Sequence, residues 1–124
     1  MNFELMDFKS ILEAIDKKYV ELKGHCGRFD VRWGVFSTTM NRALRKRMEG
    51  LKPHDRDRDR FLWLHAYWIC RSQLLDLHMK KSFVVGNKIK KMLKEAKSYR
   101  QFVLTGKGPE ITEAELLGKL LRRK

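Results

Sequence analysis

At 124 residues the chain has the length of one domain, and folding at this size buries roughly two thirds of the unfolded surface. Its 43% hydrophobic content, with three Trp, three Tyr and seven Phe, excludes a disordered polyelectrolyte. A net charge of +13 and a sequence pI near 10.0 point to a polyanionic partner.

The first segment, Phe3 to Leu22, carries apolar residues at Leu5, Phe8, Leu12, Ile15, Tyr19 and Leu22. Spacings alternating between three and four place all six on one stripe of an α-helix. Gly24 and Gly27 supply the backbone freedom for the turn that ends it. The second segment, Phe29 to Leu51, continues the pattern through Phe29, Trp33, Phe36, Met40, Ala43/Leu44, Met48 and Leu51. Gly34 and the run Ser37-Thr38-Thr39 weaken it, and the helix could kink near Gly34. Gly50 and Pro53 then stop it, and Asp55 or Asp57 can cap the next helix by accepting its first backbone N–H groups.

The third segment starts near Asp57 and is dense in rings, with Phe61, Trp63, Tyr67 and Trp68. Phe61, Leu64, Trp68, Leu75 and Met79 form one face, widened by Leu62 and Ile69. A stripe this broad predicts the central helix of a bundle. The pattern shifts at "SFVVGN", where Val84, Val85 and Gly86 suggest a break or kink. Val85, Ile89, Met92, Ala96, Tyr99 and Val103 then resume helical spacing, and "TGKGP" (residues 105–109) closes the bundle. The last piece opens with Thr112 and Glu115, the spacing of a capping box, followed by Leu116, Leu117, Leu120 and Leu121 and by the basic end Arg122-Arg123-Lys124. The expected fold is therefore all-α: a small antiparallel helical bundle of three to four helices over 1–108, with a short C-terminal helix or docking tail over 109–124.

The charge is uneven. Residues 1–27 carry four basic and five acidic side chains, whereas residues 28–124 carry 24 basic and 10 acidic. The densest stretch is "GNKIKKMLKEAKSYRQF" (86–102), with six basic residues and the single acid Glu95. On a wheel centred on Ile89, Met92, Leu93, Ala96, Tyr99 and Val103 fall within about 80° of it. Lys90, Lys91, Lys94 and Lys97 take the other side, and Lys88 and Arg100 flank the stripe. A solvated helix ordinarily mixes signs, because Glu and Lys one turn apart stabilise each other. Like charges clustered on one face require a compensating anion, so phosphate binding outweighs a merely wet face. Arg42, Arg45 and Lys46 make a second cluster, suited to phosphate by the planar guanidinium fork. Arg47 lies nearer the apolar side, where it could snorkel or support the helix C-terminus.

Other constellations carry less. In "HDRDRDR" (54–60) Asp and Arg alternate, which favours internal pairing and capping. His25, Cys26, His65 and Cys70 lack the spacing of zinc ligands: His65 and Cys70 lie about 140° apart on a helix. Among the rings, Trp63 lies off the main stripe and is the best candidate for an exposed, base-stacking side chain. No phosphate loop, His-Glu-x-x-His or nucleophile elbow is present, so neither a catalytic residue, a metal nor a cofactor is expected. The longest near-apolar stretch, Phe61–Cys70, has ten residues, half of a membrane span. With no secretory signal and only two cysteines, read as reduced thiols, the expected location is cytoplasmic.

In size, helicity and charge the chain is similar to the small helical subunits of ribonucleoprotein effectors, including those of CRISPR complexes, although no shared motif carries that likeness. The leading expectation is a non-catalytic protein that grips the phosphate backbone of DNA or RNA through a basic helical face. The alternatives are a helical assembly subunit of a larger nucleoprotein complex, with other protein subunits as partners, and an adaptor or regulator of an acidic protein.

Overall fold

A computed structural model describes residues 2–52, 55, 57–80, 83–110, 112, 114–115 and 118. It contains four helices, α1 (Phe8–Leu22), α2 (Val31–Glu49), α3 (Asp57–His78) and α4 (Phe83–Thr105), and no strand among the described residues. The fold is the all-α helical bundle that the periodicity predicts.

Aspartates set where the first two helices begin. Asp7 caps α1, its carboxylate accepting the Ser10 N–H at 2.8 Å, and the hydrogen bonds with Ser10 hold its pKa below the usual value. Asp30 caps α2 in the same way, accepting the Arg32 N–H at 2.9 Å. Each cap starts its helix later than the apolar spacing suggests, with a consequence for the residue ahead of it. Leu5 and Phe29, expected on the core stripes, lie before the caps and are 83% and 85% exposed. Phe3 takes the inward place instead: its ring meets Phe36 edge-on at 5.6 Å. Its carbonyl and that of Met6 accept hydrogen bonds from Arg47 at 3.1 and 2.6 Å. Arg47 is thus a half-buried strut whose guanidinium lies over Phe8 and Phe61. Gly24 ends the turn after α1 with φ +80°, a conformation that favours glycine.

The rest of α1 follows the wheel, with Phe8, Ile11, Leu12, Ile15, Tyr19 and Leu22 buried. The second helix runs unbroken through Gly34 and buries Trp33, Met40, Ala43 and Leu44, while Phe36, Met48 and Leu51 are half-buried. Asp57 is the first residue of α3 rather than its cap, and it pairs with Arg60 one turn on at 3.8 Å. Asp55 closes the preceding turn by accepting the Lys52 N–H at 2.6 Å. The cap position between them lies outside the described residues, as do Pro53 and His54.

The central position of α3 is as predicted: it packs against α1, α2 and α4. Being covered on several sides, it buries residues all round its axis, which corrects the expectation for Trp63. That ring is 2% exposed, packs against Phe102 of α4 at 5.6 Å, and donates its indole N–H to the Pro109 carbonyl at 2.9 Å. Met79 lies one residue beyond the end of α3 and is half exposed, off the stripe to which its spacing assigned it. The break expected at "SFVVGN" falls earlier, between His78 and Phe83, so that residues 84–86 belong to the first turns of α4. Met92, Ala96, Tyr99 and Val103 of α4 enter the core, with Val85 and Ile89 packed against it. Gly108 lies so close to Phe102 that an added Cβ would come within 2.6 Å of its ring. Beyond it, the Thr112 hydroxyl accepts the Glu115 N–H at 3.1 Å, the first half of the capping box. Leu116, Leu117, Leu120, Leu121 and the basic residues 122–124 lie outside the described residues.

Candidate nucleic-acid interface

The apolar stripe of α4 faces α3 and α1, so the rest of its circumference meets solvent. Lys88, Lys90, Lys91, Lys94 and Lys97 are all exposed, and among the described residues none of them is ion-paired. Glu95, half-buried, accepts a long hydrogen bond of 3.5 Å from the Tyr99 hydroxyl. Arg100 is engaged differently: its Nε donates to Asp16 Oδ2 at 2.9 Å, pinning α4 to α1. Of the six basic residues in the 86–102 segment, one is therefore a structural strut and five project charge into water.

The Arg100–Asp16 pair belongs to a larger polar group. The other carboxylate oxygen of Asp16 accepts from the Tyr67 hydroxyl of α3, and Arg71 Nε donates to that same hydroxyl at 2.9 Å. Arg71 also lies over the rings of Tyr19 and Tyr67, at 4.3 and 5.2 Å, and Tyr19 shares a hydrogen bond with His78. Burial pushes the Tyr67 pKa up to about 12. The same cause lowers that of His78, helped by Lys23 and Arg71 nearby. This network holds α1, α3 and α4 together, and its charges are turned inward.

On the other flank of α3, Arg42, Arg45 and Lys46 are exposed along α2 and line one recess of ≈ 550 Å³ with Thr38, Asn41 and Glu49. Lys46 also meets Glu4 at 3.5 Å. The two basic clusters lie on different helices: α4 is packed on α3 and α1, and α2 on α3. Lys88 lines a small cavity of ≈ 120 Å³ at the end of α3 that also involves Arg28, Asp76 and Lys80. Asp76 anchors the chain there, accepting the Arg28 N–H at 2.8 Å and pairing with its guanidinium.

Sequence reasoning missed a cleft between α2 and α3, of ≈ 670 Å³, lined by Phe29, Trp33, Trp68 and Gln73 among others. Trp33 and Trp68 stack at 5.0 Å with a 20° tilt, and the Trp68 indole donates to Asn41 Oδ1 at 2.7 Å. The sequence carries no signal for it beyond Gln73, a neutral polar residue that α3 buries among apolar neighbours. Among the described residues no three of His, Cys, Asp and Glu come together as a metal site would require, and Cys26 and Cys70 are separate buried thiols. No described helix is long and apolar enough to cross a membrane.

Neither a family model, a curated protein nor a solved structure matches this chain.

Proposed function

We propose that this protein is a non-catalytic nucleic-acid-binding protein of the cytoplasm that grips the phosphate backbone of DNA or RNA through the outer face of α4. The observation that supports it is the state of the five lysines 88, 90, 91, 94 and 97. All are exposed on one helix without an ion pair among the described residues, while Arg100 beside them is paired with Asp16. Like charges gathered on one element raise its self-repulsion, which an array of phosphates relieves by releasing its own counterions. Arg42 and Arg45 on α2 offer a second, guanidinium-based contact.

The test is the salt dependence of binding to a labelled duplex and to a labelled single strand. If Lys90, Lys91, Lys94 and Lys97 neutralise about four phosphates, log affinity falls with log salt at a slope near −3.6 on duplex DNA. Replacing Lys90, Lys94 and Lys97 together by Glu should weaken binding at least tenfold and flatten the slope, with the melting temperature hardly changed. Unaltered binding in that variant would shift the site to Arg42, Arg45 and Lys46. A wild type that holds neither ligand at low salt would leave an acidic protein as the partner of the basic face.

A second reading, a subunit of a larger nucleoprotein complex, draws on a different feature. Val31 and Val35 lie one turn apart on α2 and are 78% and 67% exposed, an apolar strip of the kind that a neighbouring subunit covers. Elution volume and sedimentation with and without nucleic acid distinguish a self-sufficient binder from such a subunit.

A further inference from the structure

The lysine face does not account for the cleft between α2 and α3. Gln73 is 4% exposed, yet neither its Nε2 nor its Oε1 has a hydrogen-bond partner. The indole Nε1 of Trp33, another residue of the cleft and 1% exposed, is buried and unpartnered as well. Buried polar groups are ordinarily satisfied, because an orphaned donor or acceptor carries its full desolvation cost. A leucine would fill the volume of Gln73 without that cost. Two such groups lining one opening mark a surface that a ligand completes.

The surroundings define that ligand. The opening, ≈ 670 Å³, falls within the usual range of ligand pockets, about 300–1,000 Å³. Phe29 stands at its edge, 85% exposed, with the Arg28 guanidinium 4.9 Å from the ring centre. Cations lie beyond both ends. Towards the C-terminus of α2 the cleft shares Thr38 and Asn41 with the recess of Arg42, Arg45 and Lys46. On the other side of Gln73 is the small cavity in which Lys80 and Lys88 stand beside the Arg28–Asp76 pair.

We infer that the cleft receives one unstacked base of a single-stranded nucleic acid, to which the Gln73 amide turns from its buried position to read the base edge, and whose flanking phosphates meet Arg42, Arg45 and Lys46 on one side and Lys80 and Lys88 on the other. A carboxamide presents a donor and an acceptor side by side, the complement of the N6 and N7 edge of adenine. The exposed ring of Phe29 provides a stacking surface, as in other single-strand binders. A peptide amide could also satisfy Gln73, but every nucleotide of a strand brings an aromatic face together with a phosphate on each side. A duplex keeps its bases stacked and cannot supply one without extruding it. The inference rests on the phosphate-binding function proposed above and adds to it a preference for single strands that carry bases.

The experiment compares two 5′-labelled DNA decamers, oligo(dA) and an abasic strand with the same number of phosphates, by fluorescence anisotropy at one low salt concentration. The wild type should prefer the adenine strand about tenfold or more, the effect expected of one stacked and hydrogen-bonded base. Gln73→Leu should reduce that preference towards unity and leave affinity for the abasic strand unchanged. Phe29→Ser, an exposed substitution that leaves the core intact, should reduce it as well. Reversal of Lys90, Lys94 and Lys97 to Glu should weaken both strands by the same factor. Equal binding of the two strands by the wild type would overturn the base cleft while leaving phosphate binding in place. So would a full adenine preference retained in both Gln73→Leu and Phe29→Ser. Failure of both strands to bind would overturn the base cleft and the phosphate reading together.

Discussion

The two flanks of α3 are built from similar residues and treat their polar atoms in opposite ways. Towards α1 and α4, Tyr67, Asp16, Arg71 and Arg100 form a connected group in which each member has a partner. Towards α2, Gln73 and the Trp33 indole are buried without one, beside an open cleft. A partnered network of half-buried groups rigidifies the helices it joins. Orphaned atoms beside a cleft give up stability at a place where a ligand can restore it. The closed flank accounts for the fold, and the open flank, with the lysine face of α4, is where function is to be sought.

The largest expected effect falls on the closed flank. Leu12 of α1 is fully buried, so Leu12→Ala should lower unfolding free energy by about 2–5 kcal/mol in urea titration. A loss below this range would mean that α1 is only loosely held. Next in size is a pair of substitutions with opposite signs. Asp16→Ala leaves Tyr67 and Arg100 without their acceptor and should destabilise by about 1–3 kcal/mol. Gln73→Leu removes two unsatisfied atoms at similar volume and should be neutral or stabilising by up to about the same amount. If Gln73→Leu destabilised as much as Asp16→Ala, the contrast between the flanks would collapse. Smaller again is the effect of shortening the chain. Ending it at Gly108 removes the Pro109 carbonyl that accepts the Trp63 indole N–H, whereas ending it at Glu110 keeps that bond. Both should fold and melt cooperatively, the shorter one being less stable by about 0.5–1.5 kcal/mol. Loss of cooperative melting in both would make residues 111–124 part of the core.

How far the sequence revealed these features depends on the range of the interaction. The apolar stripes of α1 and α4 were legible because helical periodicity is local and each helix has one buried side. Leu5 and Phe29 misled because they continue that periodicity past Asp7 and Asp30, whose side chains fix the helix starts. Those caps were themselves legible signals, weaker than the stripe. Trp63 could not be placed from a wheel, since its burial depends on α4 and on the Pro109 carbonyl, 46 residues away. Within the candidate interface, the exposure of Lys90, Lys91, Lys94 and Lys97 followed from the stripe opposite. The engagement of Arg100 did not, because its partner Asp16 is 84 residues distant. The cleft lay wholly beyond periodicity: it needs two helices to form and an unpartnered amide to be noticed.

The smallest expected effect concerns pH and again sets one flank against the other. His78 is held below its ordinary pKa of 6.5, chiefly by burial and then by the nearby charges of Lys23 and Arg71. In the unfolded chain the imidazole protonates as pH falls through about 6.5, while in the folded chain it stays neutral to lower pH and keeps its hydrogen bond with Tyr19. The unfolded state then binds more protons, so stability falls as pH drops through that window and is fully present above it. The melting temperature should therefore decrease between pH 7.5 and pH 5.5. His78→Gln, which cannot titrate, should make that decrease shallower, whereas Gln73→Leu on the open flank should leave its slope unchanged. A decrease of equal steepness in His78→Gln would place the titrating group elsewhere.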